Sequence, residues 1–178
     1  MSISYINSSS GTKLAYVHVK PSGAGEALPI VMVLGGFKSD MNGTKAIYLE
    51  KKCAERGQEF IRFDYSGHGE SGGEFTDGTI GSWKDDAWDI IGHVIKRDVI
   101  WMGSSMGGWI ALLLLLQKQE HIKGMVGIAC APDFTKDVEA QMSDPDRDMV
   151  NKLGRLEVPS DYGEPYIFTK ALLKDGAV

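Results

Sequence analysis

Apolar residues along this chain gather into short, mostly continuous runs, separated by stretches with helical periodicity. Ile30-Val31-Met32-Val33-Leu34, Phe60-Ile61-Arg62-Phe63, Val99-Ile100-Trp101-Met102 and the stretch from Ile122 to Ala129 are runs of the first kind. The first predicts a strand buried on both faces, Val99 to Met102 predicts another buried strand, and the other two predict further strands. Between them, Ala46, Ile47, Leu49, Cys53 and Ala54 share one helical face that Gly57 closes. Ile80, Trp83, Ala87, Ile91 and Val94 form a second such face, with Thr79 or Ser82 as its cap. Gly108 to Gln119 is apolar nearly all round, which predicts a central helix. Two β-rich segments at the start, Ser4 to Asn7 and Lys13 to Lys20, flank the turn-rich Ser8-Ser9-Ser10-Gly11 and predict a hairpin. Strands alternating with helices of these lengths predict an α/β fold, a doubly wound and mostly parallel sheet with an N-terminal antiparallel hairpin. After Pro132 the character changes: residues 133–152 are acidic and polar, no strand-like apolar run follows residue 130, and a helix is expected from Pro165 to Lys174.

Composition adds few constraints. The 178 residues carry 19 Lys+Arg against 24 Asp+Glu, and a net charge of −5 leaves no footprint for nucleic acid or an anionic surface. The longest apolar run, Trp109 to Leu116, is too short to span a bilayer. The first residues lack the basic start and apolar stretch of a signal peptide, and Cys53 and Cys130 are too few for a disulfide framework. A reduced, cytoplasmic protein is expected. No HExxH, CxxC, Walker or EF-hand pattern occurs, so neither a metal nor a cofactor is expected.

Two glycine clusters lie where strands end. Gly103-Ser104-Ser105-Met106-Gly107 fits G-x-S-x-G, and its place between a buried strand and a buried helix gives the pattern weight. In such a turn Gly103 and Gly107 avoid Cβ clashes while Ser105 projects its hydroxyl above the sheet edge. The Met106 N–H, in the first helical turn, would face a developing oxyanion. Leu34-Gly35-Gly36-Phe37 follows the earlier buried strand, and the Phe37 N–H would be the second donor. A third cluster, Gly67-His68-Gly69-Glu70-Ser71-Gly72, is literally G-x-G-x-x-G, but a loop rather than a phosphate-binding helix follows it. No dinucleotide site is expected there.

A serine nucleophile needs a histidine within hydrogen-bond reach and an acid to orient it. His18 lies in the hairpin, while His93 and His121 end helices leading back to strand starts, on the far edge from Ser105. Only His68 falls on the catalytic side, where it is a candidate base in a turn that also suits a structural histidine. Asp133, just past a strand end, is the corresponding acid candidate, yet no histidine follows it. Cys130 has buried packing as its default role.

Together, Leu34-Gly35-Gly36-Phe37, the segment from Phe63 to Ser71 and Gly103 to Trp109 resemble the α/β-hydrolase superfamily. The segment from Gly36 to Ala46 and that from Arg62 to Gly67 resemble, more narrowly, the branch of acyl-protein thioesterases (depalmitoylases) and acyl-glucuronide esterases. The resemblance implies Ser105 as nucleophile with Phe37 and Met106 as oxyanion donors. It implies a core over residues 1–131 and, over 132–178, a helical cap segment (about Pro132 to Gly163) and the start of the return to the core. It also implies an acid and a histidine on loops after two later strands, so the C-terminal strands of the fold are expected to be missing here. The expected activity is hydrolysis of a small acyl ester or thioester through an acyl-Ser105 intermediate, crippled for want of its base. The rival expectation is a non-catalytic pseudohydrolase that binds acyl ligands or a partner. An uncovered edge at the Ile122–Ala129 strand would favour self-association or a complementing C-terminal polypeptide.

Overall fold

A computed structural model describes residues 2–117, 120–160 and 163–176. Among the described residues, eight strands and six α-helices follow one another, in the expected alternation as far as β6: β1 (Ser4–Asn7), β2 (Lys13–Val19), β3 (Ile30–Leu34), α1 (Thr44–Glu55), β4 (Phe60–Phe63), α2 (Ile80–Val94), β5 (Val99–Ser104), α3 (Met106–Leu115), β6 (Ile122–Ile128), α4 (Phe134–Gln141), α5 (Asp144–Leu153), β7 (Arg155–Val158), β8 (Tyr166–Thr169) and α6 (Lys170–Asp175). The first six strands form one sheet in the order β1-β2-β4-β3-β5-β6. β4, β3, β5 and β6 run parallel, and β2 joins antiparallel through Val17 opposite Arg62.

Period-two alternation divides β3 between two cores. Val31 and Val33 pack with Ala46, Cys53 and Phe60 beneath α1. Ile30, Met32 and Leu34 face the other way, onto Trp83 and Ile90 of α2 and Ile110 and Leu114 of α3. α2 starts with a reciprocal cap, in which Thr79 Oγ1 accepts the Ser82 N–H and Ser82 Oγ accepts the Thr79 N–H. These contacts fix the helices over the sheet, and they set where the loops at the C-terminal strand ends point.

Beyond Pro132 the chain is less helical than its polarity predicts. α4 and α5 form, the latter capped by Ser143 with Pro145 in its first turn. The helix expected from Pro165 to Lys174 is corrected: its first half is β8, which pairs antiparallel with β7, and only Lys170–Asp175 is helical. Leu156 and Phe168 face each other in this hairpin and join the main core beside Leu172 and Leu173. Each strand is four residues long and buries few side chains, so neither makes an apolar run. No helix among the described residues is long and apolar enough to cross a membrane.

Candidate active site

Ser105 joins β5 to α3 with φ 53° and ψ −120°, a conformation that costs a non-glycine residue about 1–3 kcal/mol. Neighbouring backbone holds it there. The Ser105 N–H donates to the Ile128 carbonyl at 3.0 Å, and the Ser105 carbonyl accepts from Gly108 at 2.9 Å and Ala131 at 3.2 Å. The glycines around it are demanded by space. A Cβ on Gly107 would lie 2.1 Å from the Leu34 carbonyl oxygen, and one on Gly103 would lie 2.6 Å from Gly108 Cα. Gly108 meets Cys130 in the same way, at 2.3 Å from Sγ, so Cys130 packs against the floor of the turn. Met106 is the first residue of α3, where backbone N–H groups lack intrahelical acceptors.

The loop after β3 comes alongside. A Cβ built on Gly36 would be 3.4 Å from Ser105 Cβ, so the loop that carries Phe37 comes against the nucleophile candidate, and both residues line one cavity. The Phe37 ring is gripped by aromatic neighbours: it stacks on Phe168 at 5.4 Å and meets Phe75, Trp83, Phe134 and Tyr166 within 6 Å. Lys38, next in the chain, has φ 57°, and its Nζ donates to Glu164 Oε2 at 3.2 Å and to the Pro165 carbonyl at 3.0 Å. The loop is thereby tied to the β7–β8 hairpin. A cavity of about 590 Å³ opens between them, and Ser105 lines it with Gly36, Phe37, Ser39, Lys45 and Tyr166 among others.

The structure brings Ser105, Phe37 and the start of α3 together, and none of the histidines joins them. Among the described residues, no histidine hydrogen-bonds Ser105. His18 Nε2 pairs with Glu59 Oε1 at 2.6 Å, His93 edges Tyr16, and His121 lies beside the start of β5. His68 is 4% exposed and has both ring nitrogens engaged with backbone: Nδ1 with the Ser66 carbonyl at 3.0 Å, Nε2 with the Lys38 N–H at 3.3 Å. Burial holds its pKa below the ordinary value, with the Ser66 bond opposing. Asp133 sits in the left-handed region at the start of α4, half-exposed and paired with Lys136.

The G-x-G-x-x-G loop is shaped by packing. Gly67 (φ 69°) passes against Phe75 backbone, and a Cβ on Gly69 would strike the Asp64 carboxylate at 2.2 Å. Asp64 is buried, which raises its pKa, and it accepts the Glu70 and Met41 N–H groups. Lys38, Lys45, Glu164 and Tyr166 escaped the sequence reading as cavity residues. Lys38 and Lys45 carried only family resemblance, Glu164 lies between the expected cap and the expected helix, and Tyr166 lies within that helix.

A model of the Hydrolase_4 family, serine aminopeptidase S33, matches residues 25–160. The chain belongs to this family of α/β-hydrolases. The mouse mitochondrial palmitoyl-protein thioesterase ABHD10 is 33% identical over 175 residues, covering 95% of this hydrolase chain and 57% of the relative. The chain therefore spans little more than half the length of that curated relative. A putative hydrolase from Agrobacterium vitis S4 superposes with a TM-score of 0.92 at 41% identity, over 99% of this chain and 71% of that one. The mouse α/β-hydrolase domain-containing protein 10 structure gives 0.85 at 31% identity, over 99% and 70%.

Proposed function

We propose that this chain carries the nucleophile and oxyanion hole of a serine hydrolase acting on carboxylic esters or thioesters. The observation that carries the reading is the strained backbone of Ser105, held by β6 beside the Phe37 loop. Ser105 Oγ attacks the acyl carbon, and the carbonyl oxygen takes the negative charge. The N–H groups of Phe37 and Met106 are aimed to stabilise that charge before it forms. Collapse expels the alcohol or thiol and leaves acyl-Ser105, which water then hydrolyses. The cavity beside Ser105 is the acyl or leaving-group site.

Proton transfer is the weak point. His68 does not serve as the base, because Nδ1 donates to Ser66 and the Nε2 lone pair is occupied by Lys38. An acid and a histidine reach Ser105 from a longer chain or from a second polypeptide seated against β6. The 178 residues alone are slow, since losing a triad member leaves only the oxyanion-hole contribution, about 10³–10⁴-fold over water. Slow turnover without a general acid favours thioesters. A thiolate leaves from a group with pKa about 8.5, whereas an alkoxide needs a proton.

The test is labelling with a fluorophosphonate together with hydrolysis of matched acyl thioester and alkyl ester. Expected are slow modification of Ser105, residual thioester turnover and no alkyl-ester turnover, all abolished by Ser105→Ala. Labelling elsewhere, or turnover that survives Ser105→Ala, overturns the assignment. The absence of a histidine at Ser105 among the described residues favours one second reading, a pseudohydrolase that binds acyl ligands without turnover. Ligand-induced stabilisation with no adduct would establish it. The free thiols Cys53 and Cys130 suit a reducing compartment. Cytoplasm is the assignment from sequence, and fractionation distinguishes it from the organelle named for the ABHD10 relatives.

A further inference from the structure

We infer that His68 is a positioning residue for the oxyanion loop: its Nε2 holds the Lys38 N–H and so fixes the peptide that follows Phe37. This rests on the proposed role of Phe37. A chain of hydrogen bonds leads to the loop from α2. Asp86 Oδ2 accepts both the N–H and the hydroxyl of Ser66, at 2.8 and 2.6 Å. The Ser66 carbonyl, held in place by this, accepts from Trp83 Nε1 and from His68 Nδ1, each at 3.0 Å. A carbonyl has no proton to give, so Nδ1 carries the hydrogen and Nε2 is left as an acceptor. That acceptor meets the Lys38 N–H at 3.3 Å.

The imidazole cannot turn away. Tyr65, Phe75 and Trp83 contact it edge-on with ring centroids 5.1 to 5.7 Å apart. Lys38 has φ 57°, which a lysine adopts only when its surroundings enforce it. The Phe37 ring is clamped on one side by Phe168 and Phe75, and the peptide after it is held by His68 on the other. With side chain and following peptide both fixed, Phe37 has little freedom to turn, and its N–H keeps one orientation in the loop beside Ser105. The ring hydrogen-bonds Lys38 and Ser66 rather than Ser105 and does not line the cavity, so its effect passes through Lys38.

Two variants separate this role from packing. His68→Phe fills the aromatic cage without an acceptor, and His68→Gln offers Oε1 near the place of Nε2. Amide hydrogen exchange measured by NMR is expected to show Lys38 protected in wild type and His68→Gln and at least tenfold faster in His68→Phe. The rate of Ser105 phosphonylation is expected to fall about 10–100-fold in His68→Phe and to recover in His68→Gln, below the 10²–10³ loss of deleting a donor outright. Unchanged Lys38 exchange in a folded His68→Phe protein overturns the tether, and unchanged phosphonylation overturns its consequence for the hole. If wild-type Ser105 never reacts, the hydrolase reading fails while the exchange comparison still decides the tether. If His68→Phe does not fold, ¹⁵N spectra of wild-type His68 decide: a proton on Nδ1 supports the assignment, and a proton on Nε2 overturns it.

Discussion

At the scale of single residues, the glycines that look alike in sequence separate sharply by what surrounds them. Gly107→Ala would put a methyl 2.1 Å from the Leu34 oxygen, both of them backbone-anchored, so β3 or the Ser105 turn must move. The variant is expected to lose Ser105 labelling and several kcal/mol of stability, as overpacking against rigid backbone does. Gly92, near the end of α2, meets nothing within 4 Å. Gly92→Ala is expected to gain about 0.5–1 kcal/mol from helix propensity, read by urea denaturation. Equal effects of the two substitutions would show that crowding at the turn is not what selects glycine there. Both glycine positions of G-x-S-x-G were legible in the sequence because strand and helix flanked them. The work of His68 was not. A histidine's tautomer depends on which carbonyl it meets, and Ser66 and Lys38 are joined through it only in three dimensions.

The same residue has a pH signature whose sign can be worked out. Burial lowers the His68 pKa from its ordinary 6.5, so as pH falls the unfolded chain takes up that proton first. His68 thus contributes stability that is present above about pH 6.5 and lost as pH falls toward the folded value. Asp64 and Asp86 act with the opposite sign. Burial raises their pKa values, so their contribution is full at low pH and lost as pH rises through the folded values. Comparing wild type with His68→Phe cancels the carboxylates. Wild type is expected to lose stability relative to the variant between about pH 7.5 and 5.5 in denaturant titrations. A difference that is flat with pH would mean the imidazole is not buried neutral.

At the scale of elements, β1 to β6 and α1 to α3 were readable from short apolar runs, helical periodicity and the turn residues between them. The β7–β8 hairpin was not readable, because among its described residues Leu156 and Phe168 are the only well-buried apolar side chains. Their partners come from elsewhere: Phe168 stacks on Phe37, which lies at the far end of the sequence, in the loop after β3. Phe168→Ala removes that stacking surface. It is expected to cost about 3–4 kcal/mol by denaturation, as burial of a large aromatic implies. Because Phe37 then loses its stacking partner, Ser105 phosphonylation is expected to slow as well. A stability loss with unchanged labelling would leave the hairpin as core alone, with no part in holding the loop.

At the scale of the whole molecule, β6 decides how the hydrolase meets its surroundings. β6 pairs with β5 on one side, and among the described residues no strand covers the other. Val126 is 45% exposed, and Leu112 and Leu116 at the nearby end of α3 are 40% and 78% exposed. A parallel strand with open hydrogen-bonding groups beside exposed leucines and valine is a template for another chain. The salt-bridged Lys123 is the charged side chain on this strand, a modest deterrent to pairing. The isolated chain is therefore expected to self-associate in sedimentation velocity, with Val126→Lys shifting it toward monomer by placing a second charge on the edge. A C-terminal polypeptide bearing strands and a histidine should compete with self-association and raise Ser105 turnover together, because both depend on covering β6. A wild-type chain that stays monomeric at high concentration, and whose Ser105 reactivity no such polypeptide changes, would mean the edge is protected by its own twist and that no histidine reaches Ser105 across it.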